Sequence, residues 1–270
     1  MMPRKAANGD LDDIRACVAC NQACIGHMLN ACSISCIQRP ETGRELKYAN
    51  ISKAKLKKSI LVAGGGPAGV KAACIAADRG HRVTLCEKSN SLGGQINLAQ
   101  SLPGRAEFGG IITNLNKELT KTTVSVRFNS FVNLDLIEEL APDVVIAATG
   151  ATPYMPEIQG AEEAHVVNAW QVLEGKANVG GRVVIADWRC DWVGLGLAEL
   201  LVKQGCHIRL AVNGMVAGQN IPQYARDAWI GKLHKLGVEI IPHVRLVGVD
   251  SEDVYFQHTL SGEPVILNSV

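Results

Sequence analysis

The chain has 270 residues, 47% hydrophobic and 20% charged, so it is long enough to bury a core without disulfides. Its 27 Lys and Arg residues balance 26 Asp and Glu residues and leave a formal net charge of +1. This balance predicts neither a nucleic acid nor an anionic membrane as a partner. No apolar run approaches the roughly 20 residues that span a bilayer, and residues 1–13 lack the apolar stretch of a signal peptide. We therefore expect a cytoplasmic protein.

Four of the nine cysteines have a spacing that indicates a metal site, Cys17-x2-Cys20-x3-Cys24-x11-Cys36. Disulfides are not expected in a reducing cytoplasm, whereas thiolates bind zinc, copper(I) or iron–sulfur clusters. Three closely spaced cysteines and one more distant cysteine favour a four-iron, four-sulfur cluster, because structural zinc usually takes two separated pairs. Structural zinc and no metal remain the alternatives. Cys32 is a spare thiol that either neighbours the cluster or is a simple buried hydrophobe.

The first regular elements are predicted to be a strand, a turn and a helix. Residues 59–63 form an apolar run, residues 64–69 are rich in glycine, and residues 70–78 are rich in alanine. Two further short strands are predicted over residues 82–87 and 143–150. Continuous apolar runs of this kind are typical of parallel strands that are buried on both faces of a sheet.

The same pattern then repeats further along the chain. Residues 182–186 predict a strand, residues 193–204 an amphipathic helix, and residues 207–212 a second strand. The sequence therefore predicts an α/β fold with two Rossmann-like dinucleotide-binding units of three layers, preceded by a cysteine-rich iron–sulfur segment.

Gly64-x-Gly66-x-x-Gly69, with Glu87 at the end of the next strand, matches a dinucleotide-binding fingerprint. In such a motif Gly64 permits the tight turn, Gly66 lets the backbone approach a pyrophosphate, and Gly69 packs the helix on the strand. The helix N-terminus would face the phosphates, and Glu87 would hold the adenosine ribose hydroxyls. The alternative is a glycine-rich turn that binds no ligand.

These motifs occur in order with Glu87-Lys88, Leu92-Gly93-Gly94-Gln95, Pro103-Gly104-Arg105 and Ala148-Thr149-Gly150. The series resembles the C-terminal part of the iron–sulfur flavoenzymes related to old yellow enzyme, a group that includes 2,4-dienoyl-CoA reductase and trimethylamine dehydrogenase. The resemblance covers nearly the whole chain. In that family an FMN-binding barrel acts on the substrate, the cluster relays single electrons, and the fingerprint binds FAD or only ADP.

Carried over by position, the resemblance implies that Cys17, Cys20, Cys24 and Cys36 hold the cluster. It also implies a flavin site, for which we name Gly64, Gly66, Pro67, Ala68, Gly69, Glu87, Lys88, Gly94, Gln95, Arg105, Val132, Thr149 and Gly150. Arg105 makes independent sense as a charge-assisted donor to a pyrophosphate, although a lone surface Arg is usually only solvated. No residue of this chain is predicted to be catalytic.

Two departures from the family place the substrate chemistry elsewhere. A (β/α)8 barrel takes about 250 residues, but only sixteen precede Cys17. The family also returns to the FAD domain after the second unit, which this chain does not do. We therefore expect part of a longer enzyme, with an FMN-binding barrel as its partner and homo-oligomerisation left open. The expected domains are the iron–sulfur segment and linker (1–58), the FAD-binding unit (59–150), a crossover (151–178) and a truncated, degenerate NAD(P)-binding-like unit (179–270).

The fingerprint of the second unit is broken. When Gly194 is aligned with the third glycine, the two earlier glycine positions fall on Arg189 and Asp191. Asp191 would place a carboxylate against a pyrophosphate. The ribose-reading position falls on Val212, which is neither the acid expected for NAD nor an Arg for NADP. We expect weak or no NAD(P) binding; the competing view is that residues 187–192 form a different loop that binds a nucleotide in another way.

This departure resembles the amine dehydrogenase side of the family, in which electrons leave to an electron-transfer flavoprotein. Residues 187–196 and 223–229 also look like N-methylproline demethylase-type members. The leading hypothesis is therefore the FAD and 4Fe-4S electron-transfer portion of an amine dehydrogenase or oxidative N-demethylase. The alternatives are part of an NAD(P)H-dependent 2,4-dienoyl-CoA reductase-like enzyme, and a non-catalytic nucleotide-binding module with structural zinc.

Overall fold

A computed structural model describes residues 2–48 and 50–268 of the chain. The chain divides into two compact units, which are residues 1–20 with 35–152, and residues 21–34 with 153–270. The cysteine-rich segment is therefore shared between the units and does not form one of its own. In the described part of the chain, no helix is long and apolar enough to cross a membrane.

The α-helices are α1 (Met2–Ala7), α2 (His27–Leu29), α3 (Glu45–Tyr48), α4 (Pro67–Asp78), α5 (Ile96–Ala99), α6 (Gly109–Leu119), α7 (Leu134–Leu140), α8 (Ala169–Leu173), α9 (Trp192–Lys203) and α10 (Gln223–Lys235). The strands are β1 (Ser59–Ala63), β2 (Arg82–Cys86), β3 (Ser125–Arg127), β4 (Val144–Ala147), β5 (Arg182–Asp187), β6 (His207–Val212), β7 (Glu239–Ile241), β8 (Val244–Val249), β9 (Asp253–His258) and β10 (Pro264–Asn268). Short 3-10 turns lie at Leu11–Asp13 and Ala106–Phe108, and a π turn lies at Gln22–Gly26.

The first unit contains a parallel sheet with the strand order β3-β2-β1-β4. Leu61 and Val62 of β1 are almost completely buried, as expected for the centre of a parallel sheet. Pro67 begins α4, where its missing N–H and fixed φ are tolerated, and Gly80 follows the helix at a φ of +92°. This order places the ends of β1, β2 and β4 at the edge where a ligand of an open α/β sheet binds.

The second unit contains a parallel sheet, β5-β6-β7, and an antiparallel sheet, β10-β9-β8. Helix α9 packs on β5 and β6 through Leu195, Ala198 and Leu201, which are buried. The strands predicted at 182–186 and 207–212 and the helix predicted at 193–204 are confirmed to within one residue. The antiparallel sheet was not predicted.

Candidate functional site

The turn between β1 and α4 depends on two glycines. Gly64 has a φ of +109°, and a Cβ at this position would lie 2.3 Å from the carbonyl oxygen of Ala148. A Cβ at Gly69 would lie 1.8 Å from the carbonyl oxygen of Gly64. Real Cβ atoms do not approach backbone this closely, so both positions require glycine, as the fingerprint predicts.

Gly66 has a different role, because its surroundings are open. It is the N-cap of α4 in an extended conformation, and no described residue other than its chain neighbours has an atom within 4 Å of where its Cβ would be. The first N–H groups of a helix have no partner within the helix and carry partial positive charge. The exposed backbone at Gly66 therefore provides a surface on which a phosphate could approach the start of α4.

Glu87 directly follows β2 and is only 7% exposed, and its carboxylate is held by three hydrogen bonds. The Gly65 N–H donates to Oε2 at 2.6 Å, and the N–H and hydroxyl of Ser89 donate to Oε1, both at 2.8 Å. Burial alone would raise the pKa of Glu87, but these hydrogen bonds outweigh it and leave the pKa below its usual value. A carboxylate accepts about four hydrogen bonds. One acceptor position therefore remains for a hydroxyl group.

Two further segments are predicted to contact flavin. Residues 93–95 lie close to the glycine turn, and Gly150 lies close to Gln95. A Cβ at Gly94 would be 3.3 Å from the Cα of Gly66, and the Gly65 carbonyl accepts a hydrogen bond from Gly93 at 2.9 Å. A Cβ at Gly150 would lie 3.1 Å from the Nε2 atom of Gln95. Residues 93–95 therefore lie along the glycine turn, at the same edge of the sheet.

Arg105 is 7% exposed, and its guanidinium lies 5.2 Å from the centre of the Phe108 ring. Burial lowers the pKa of Arg105, and the nearby Cys20 opposes that shift. Arg105 is thus a buried cation and not the solvated surface residue of the alternative interpretation. Its role toward a pyrophosphate stays a prediction.

The remaining predicted contacts are more peripheral. Lys88, Thr149 and Ala68 are exposed, and Val132 is half-buried. Val132 follows Ser130, whose N–H donates to the carbonyl oxygen of Glu87 at 2.9 Å. These residues lie close in sequence to the turn, to the end of β4 or to Glu87, and their contact with flavin stays a prediction.

A cavity of about 580 Å³ also lies beside α4. Its lining is mainly apolar and includes Ile60, Ile75 and Ile111, together with Pro67 and Ala68. Neither Glu87 nor Gly66 lines it. The cavity therefore shares Pro67 and Ala68 with the predicted flavin site but does not include its fixed acid.

The predicted cluster ligands are divided between the two compact units. Cys17, Cys20 and Cys36 belong to the first unit, and Cys24 belongs to the second. Within residues 2–48 and 50–268, no three Cys, His, Asp or Glu side chains are arranged to hold a metal ion. The assignment of these cysteines to a cluster therefore stays a prediction that rests on their spacing.

In the second unit, Asp191 occupies the start of the helix. It is the N-cap of α9, and its Oδ1 accepts a hydrogen bond from Val193 N–H at 2.9 Å. Its Oδ2 accepts one from Arg189 Nε at 2.6 Å. A carboxylate of the chain thus already takes up the position at which a bound anion would meet the helix.

Asp187, at the end of β5, was not recognised as a site residue from the sequence. It is 8% exposed, and its Oδ1 accepts hydrogen bonds from the N–H groups of Arg189 at 3.0 Å and Cys190 at 2.9 Å. Its Oδ2 is buried and has no hydrogen-bond partner among the described residues. Burial and the nearby Asp191 raise the pKa of Asp187 to about 6. The feature of the sequence that could have revealed Asp187 is its place as an acidic residue at the end of an apolar strand.

The rest of this loop is tied down by its own contacts. Cys190 has a φ of +48° and is buried, and its thiol donates to Asn213 Oδ1 at 3.1 Å. Asn220 N–H donates to the Cys190 carbonyl at 3.0 Å, and its side chain donates to the Arg189 carbonyl at 2.6 Å. Val212, at the ribose-reading position, is completely buried.

The parallel sheet, the glycine turn and the fixed acid after β2 define a dinucleotide-binding oxidoreductase fold of the Rossmann-like type. Comparison with known sequences agrees. Residues 58–268 match the family described as pyridine nucleotide-disulphide oxidoreductase, and the chain belongs to that family. It is therefore part of an oxidoreductase, and its family supports flavin and pyridine-nucleotide binding.

Two curated relatives and one solved structure illustrate the relationship. The chain is 38% identical over 211 residues to an NADH oxidase of Thermoanaerobacter brockii, covering 77% of this chain and 32% of the relative. It is 33% identical over 253 residues to a probable N-methylproline demethylase of Rhizobium meliloti, covering 92% of this chain and 36% of the relative. A 2-naphthoyl-CoA reductase structure aligns with a TM-score of 0.90 at 29% identity, covering 99% of this chain and 40% of that chain.

The chain spans only about a third of the length of these relatives. These sequence matches cover only part of this chain as well, and the relatives and structural neighbours are about 2.5 times as long as the chain, which is consistent with additional domains in the full-length enzyme. The resemblance to reductases and amine-demethylating enzymes is confirmed at this level.

Proposed function

We propose that this chain is the FAD-binding, electron-transfer portion of a flavin-dependent oxidoreductase of the amine dehydrogenase or oxidative N-demethylase type. When bound, FAD supplies the redox chemistry, and the residues of the first unit hold it. In this assignment the substrate is converted on an FMN-binding barrel outside these 270 residues. An electron-transfer flavoprotein is the proposed acceptor, and the cytoplasm the proposed location.

The observation that carries the proposal is the fixed carboxylate of Glu87 beside an open glycine turn. Glu87 accepts three hydrogen bonds from the chain and keeps one acceptor position for a ribose hydroxyl. Gly66 presents bare backbone at the start of α4, where a pyrophosphate gains from the helix N-terminus. Pro67, Ala68, Gly94, Gln95, Arg105, Val132, Thr149 and Gly150 are the other proposed FAD contacts.

The test is to titrate the chain calorimetrically with FAD, with ADP and with 2′,3′-dideoxy-ADP. We expect ADP to compete with FAD, and the dideoxy analogue to bind about 10- to 100-fold more weakly because it lacks the hydroxyls that Glu87 would hold. In Glu87→Gln the preference for ADP over the analogue should shrink. Glu162→Gln removes the same charge from an exposed position in the other unit and should leave the preference unchanged.

Two results would contradict this assignment. If ADP does not bind at millimolar concentration, the glycine turn is not a functional nucleotide site. If Glu87→Gln weakens ADP and its dideoxy analogue equally, Glu87 acts on the fold and not on the ribose.

The proposal includes a 4Fe-4S cluster held by Cys17, Cys20, Cys24 and Cys36, which rests on their spacing in sequence alone. None of the chemistry described above depends on it. Anaerobic reconstitution should give close to four irons per chain, with loss of the iron in Cys20→Ser and retention in Cys32→Ser. Equal loss in both variants would mean that the fourth ligand is wrongly assigned, and zinc in place of iron would favour a structural metal.

The proposal also states that the second unit excludes NAD(P), because Asp191 takes the anion position at the start of α9. A second candidate function is part of an NAD(P)H-dependent reductase, and the 38% identity to an NADH oxidase favours it. Stopped-flow mixing of the FAD-loaded chain with NADH and NADPH separates the two. Reduction within milliseconds would favour the reductase, whereas the main proposal expects no appreciable reduction.

A further inference from the structure

Asp187 occupies the position that Gly64 has in the first unit. Strand β1 begins with Ser59 beside Arg82, and β5 begins with Arg182 beside His207. Five residues after these starts, the chain reaches Gly64 in one unit and Asp187 in the other. The sequence alignment had instead placed Arg189 at this first glycine position.

The contacts of the third glycine support this register. A Cβ at Gly69 would meet the Gly64 carbonyl at 1.8 Å, and a Cβ at Gly194 would meet Asp187 Oδ2 at 2.2 Å. In both units the third glycine thus packs against the residue that lies five positions after the start of the first strand. The difference is that the second unit presents a carboxylate there.

The connection to the helix is also longer in the second unit. One residue separates Gly64 from the N-cap Gly66, whereas three separate Asp187 from the N-cap Asp191. The additional residues let the chain fold back so that the Arg189 and Cys190 N–H groups bond to Asp187 Oδ1. This arrangement fixes the carboxylate and directs Oδ2 against the first turn of α9.

We propose that Asp187 is a specificity-determining residue, whose buried carboxylate acts with Asp191 to exclude the pyrophosphate of a dinucleotide from the second unit. Asp191 accepts a hydrogen bond from the N–H group of Val193 and brings one negative charge to the helix start. Asp187 places a second carboxylate in the same turn. Its Oδ2 atom accepts no hydrogen bond from any described residue. A pyrophosphate would approach both charges, so removing Asp191 alone leaves repulsion in place. This inference rests on the proposed exclusion of NAD(P).

The experiment measures NAD⁺ binding to the full chain by calorimetry, with FAD in excess so that the first unit is occupied. The variants are Asp191→Ser, Asp187→Asn and the double variant. Ser keeps an N-cap hydrogen-bond acceptor without the charge, and Asn keeps an acceptor for the loop N–H groups. Glu239→Gln is the control, because Glu239 begins β7 at the opposite end of this parallel sheet. Asp187→Ser repeats the test with a smaller side chain. A thermal melt of each variant shows whether that variant is folded.

We expect the wild type and the control to bind NAD⁺ with a Kd above about 1 mM. The double variant should bind at least tenfold more tightly than Asp191→Ser. If Asp191→Ser gains all of the affinity, or if folded double variants gain none, the role of Asp187 is overturned while the exclusion stands. If Glu239→Gln gains as much as the double variant, the effect is one of net charge and the role is again overturned. Tight NAD⁺ binding by the wild type would instead contradict the proposed function itself.

Discussion

The turn after β1 and the turn after β5 each join a parallel strand to a 12-residue helix, but they place opposite chemistry at the helix start. The first turn is short and presents bare backbone at Gly66. The second is two residues longer and presents the carboxylates of Asp187 and Asp191. In the proposed function, the same strand–helix scaffold accepts an anion in the first unit and rejects one in the second.

Both turns also require a glycine in the first turn of the helix, for different reasons. Gly69 avoids a backbone carbonyl, which cannot move without distorting the strand end. Gly194 avoids a carboxylate side chain. Close packing of helix on strand is thus kept in the second unit although the open phosphate position is lost. Packing and ligand binding are separable functions of the fingerprint.

The largest expected effect comes from Gly69→Ala. The new methyl group would lie 1.8 Å from the Gly64 carbonyl oxygen, so strand and helix must move apart. We expect a loss of about 3 kcal/mol or more in the free energy of unfolding, measured by chemical denaturation, together with loss of ADP binding.

Gly66→Ala is the matched control for this prediction. Apart from its chain neighbours, no described residue has an atom within 4 Å of the new Cβ, so stability should change little while ADP binding weakens. If the two alanine variants were equally stable, the described packing of α4 on β1 would be contradicted.

Much of this comparison could be predicted from the sequence, because the elements involved have strong periodicity. The bounds of β1 and β6 agree with the prediction, whereas α4 begins at Pro67, three residues before the predicted start at residue 70. Glu87 follows its strand directly, as the fingerprint requires. These features depend on local pattern, which a single sequence contains.

The features that sequence reasoning missed depend on contacts distant along the chain. An alignment without gaps placed Arg189 at the first glycine position, because no glycine remained to reveal the longer loop. Only the pairing of Asp187 with Val212 establishes the register. The antiparallel strands β8 to β10 were missed because their short segments have mixed polarity, so their pairing decides their structure.

A second prediction uses the charge on Asp187. Burial and Asp191 raise its pKa to about 6 from 3.8, while the loop N–H groups and Arg189 oppose the shift. The folded state therefore holds the proton more tightly than the unfolded state. The contribution of Asp187 to the free energy of unfolding is fully present below pH 3.8 and is lost as the pH rises through 6. The loss amounts to about 3 kcal/mol at neutral pH.

Asp187→Asn should remove this part of the pH dependence, as measured by urea denaturation between pH 4 and 7.5. Asp250→Asn is a control of opposite sign, because the hydrogen bond from Tyr255 lowers the pKa of Asp250. That carboxylate contributes stability at high pH that is lost as the pH falls. If the pH dependence of unfolding is unchanged in Asp187→Asn, the Asp187 carboxyl group is solvated and is not a buried charge.

The smallest expected effect tests whether the two helix glycines differ as described. Gly194→Ala would bring a methyl group within 2.2 Å of Asp187 Oδ2 and 2.5 Å of its Cγ, at a cost of about 1–3 kcal/mol. Unlike the backbone carbonyl beside Gly69, this obstacle is a side chain and can be deleted. In an Asp187→Ala background the same glycine substitution should therefore cost at least about 1 kcal/mol less, which a double-mutant cycle of unfolding free energies measures. Equal costs in both backgrounds would mean that Asp187 does not pack against Gly194, and the proposed equivalence of Asp187 and Gly64 would lose its strongest contact.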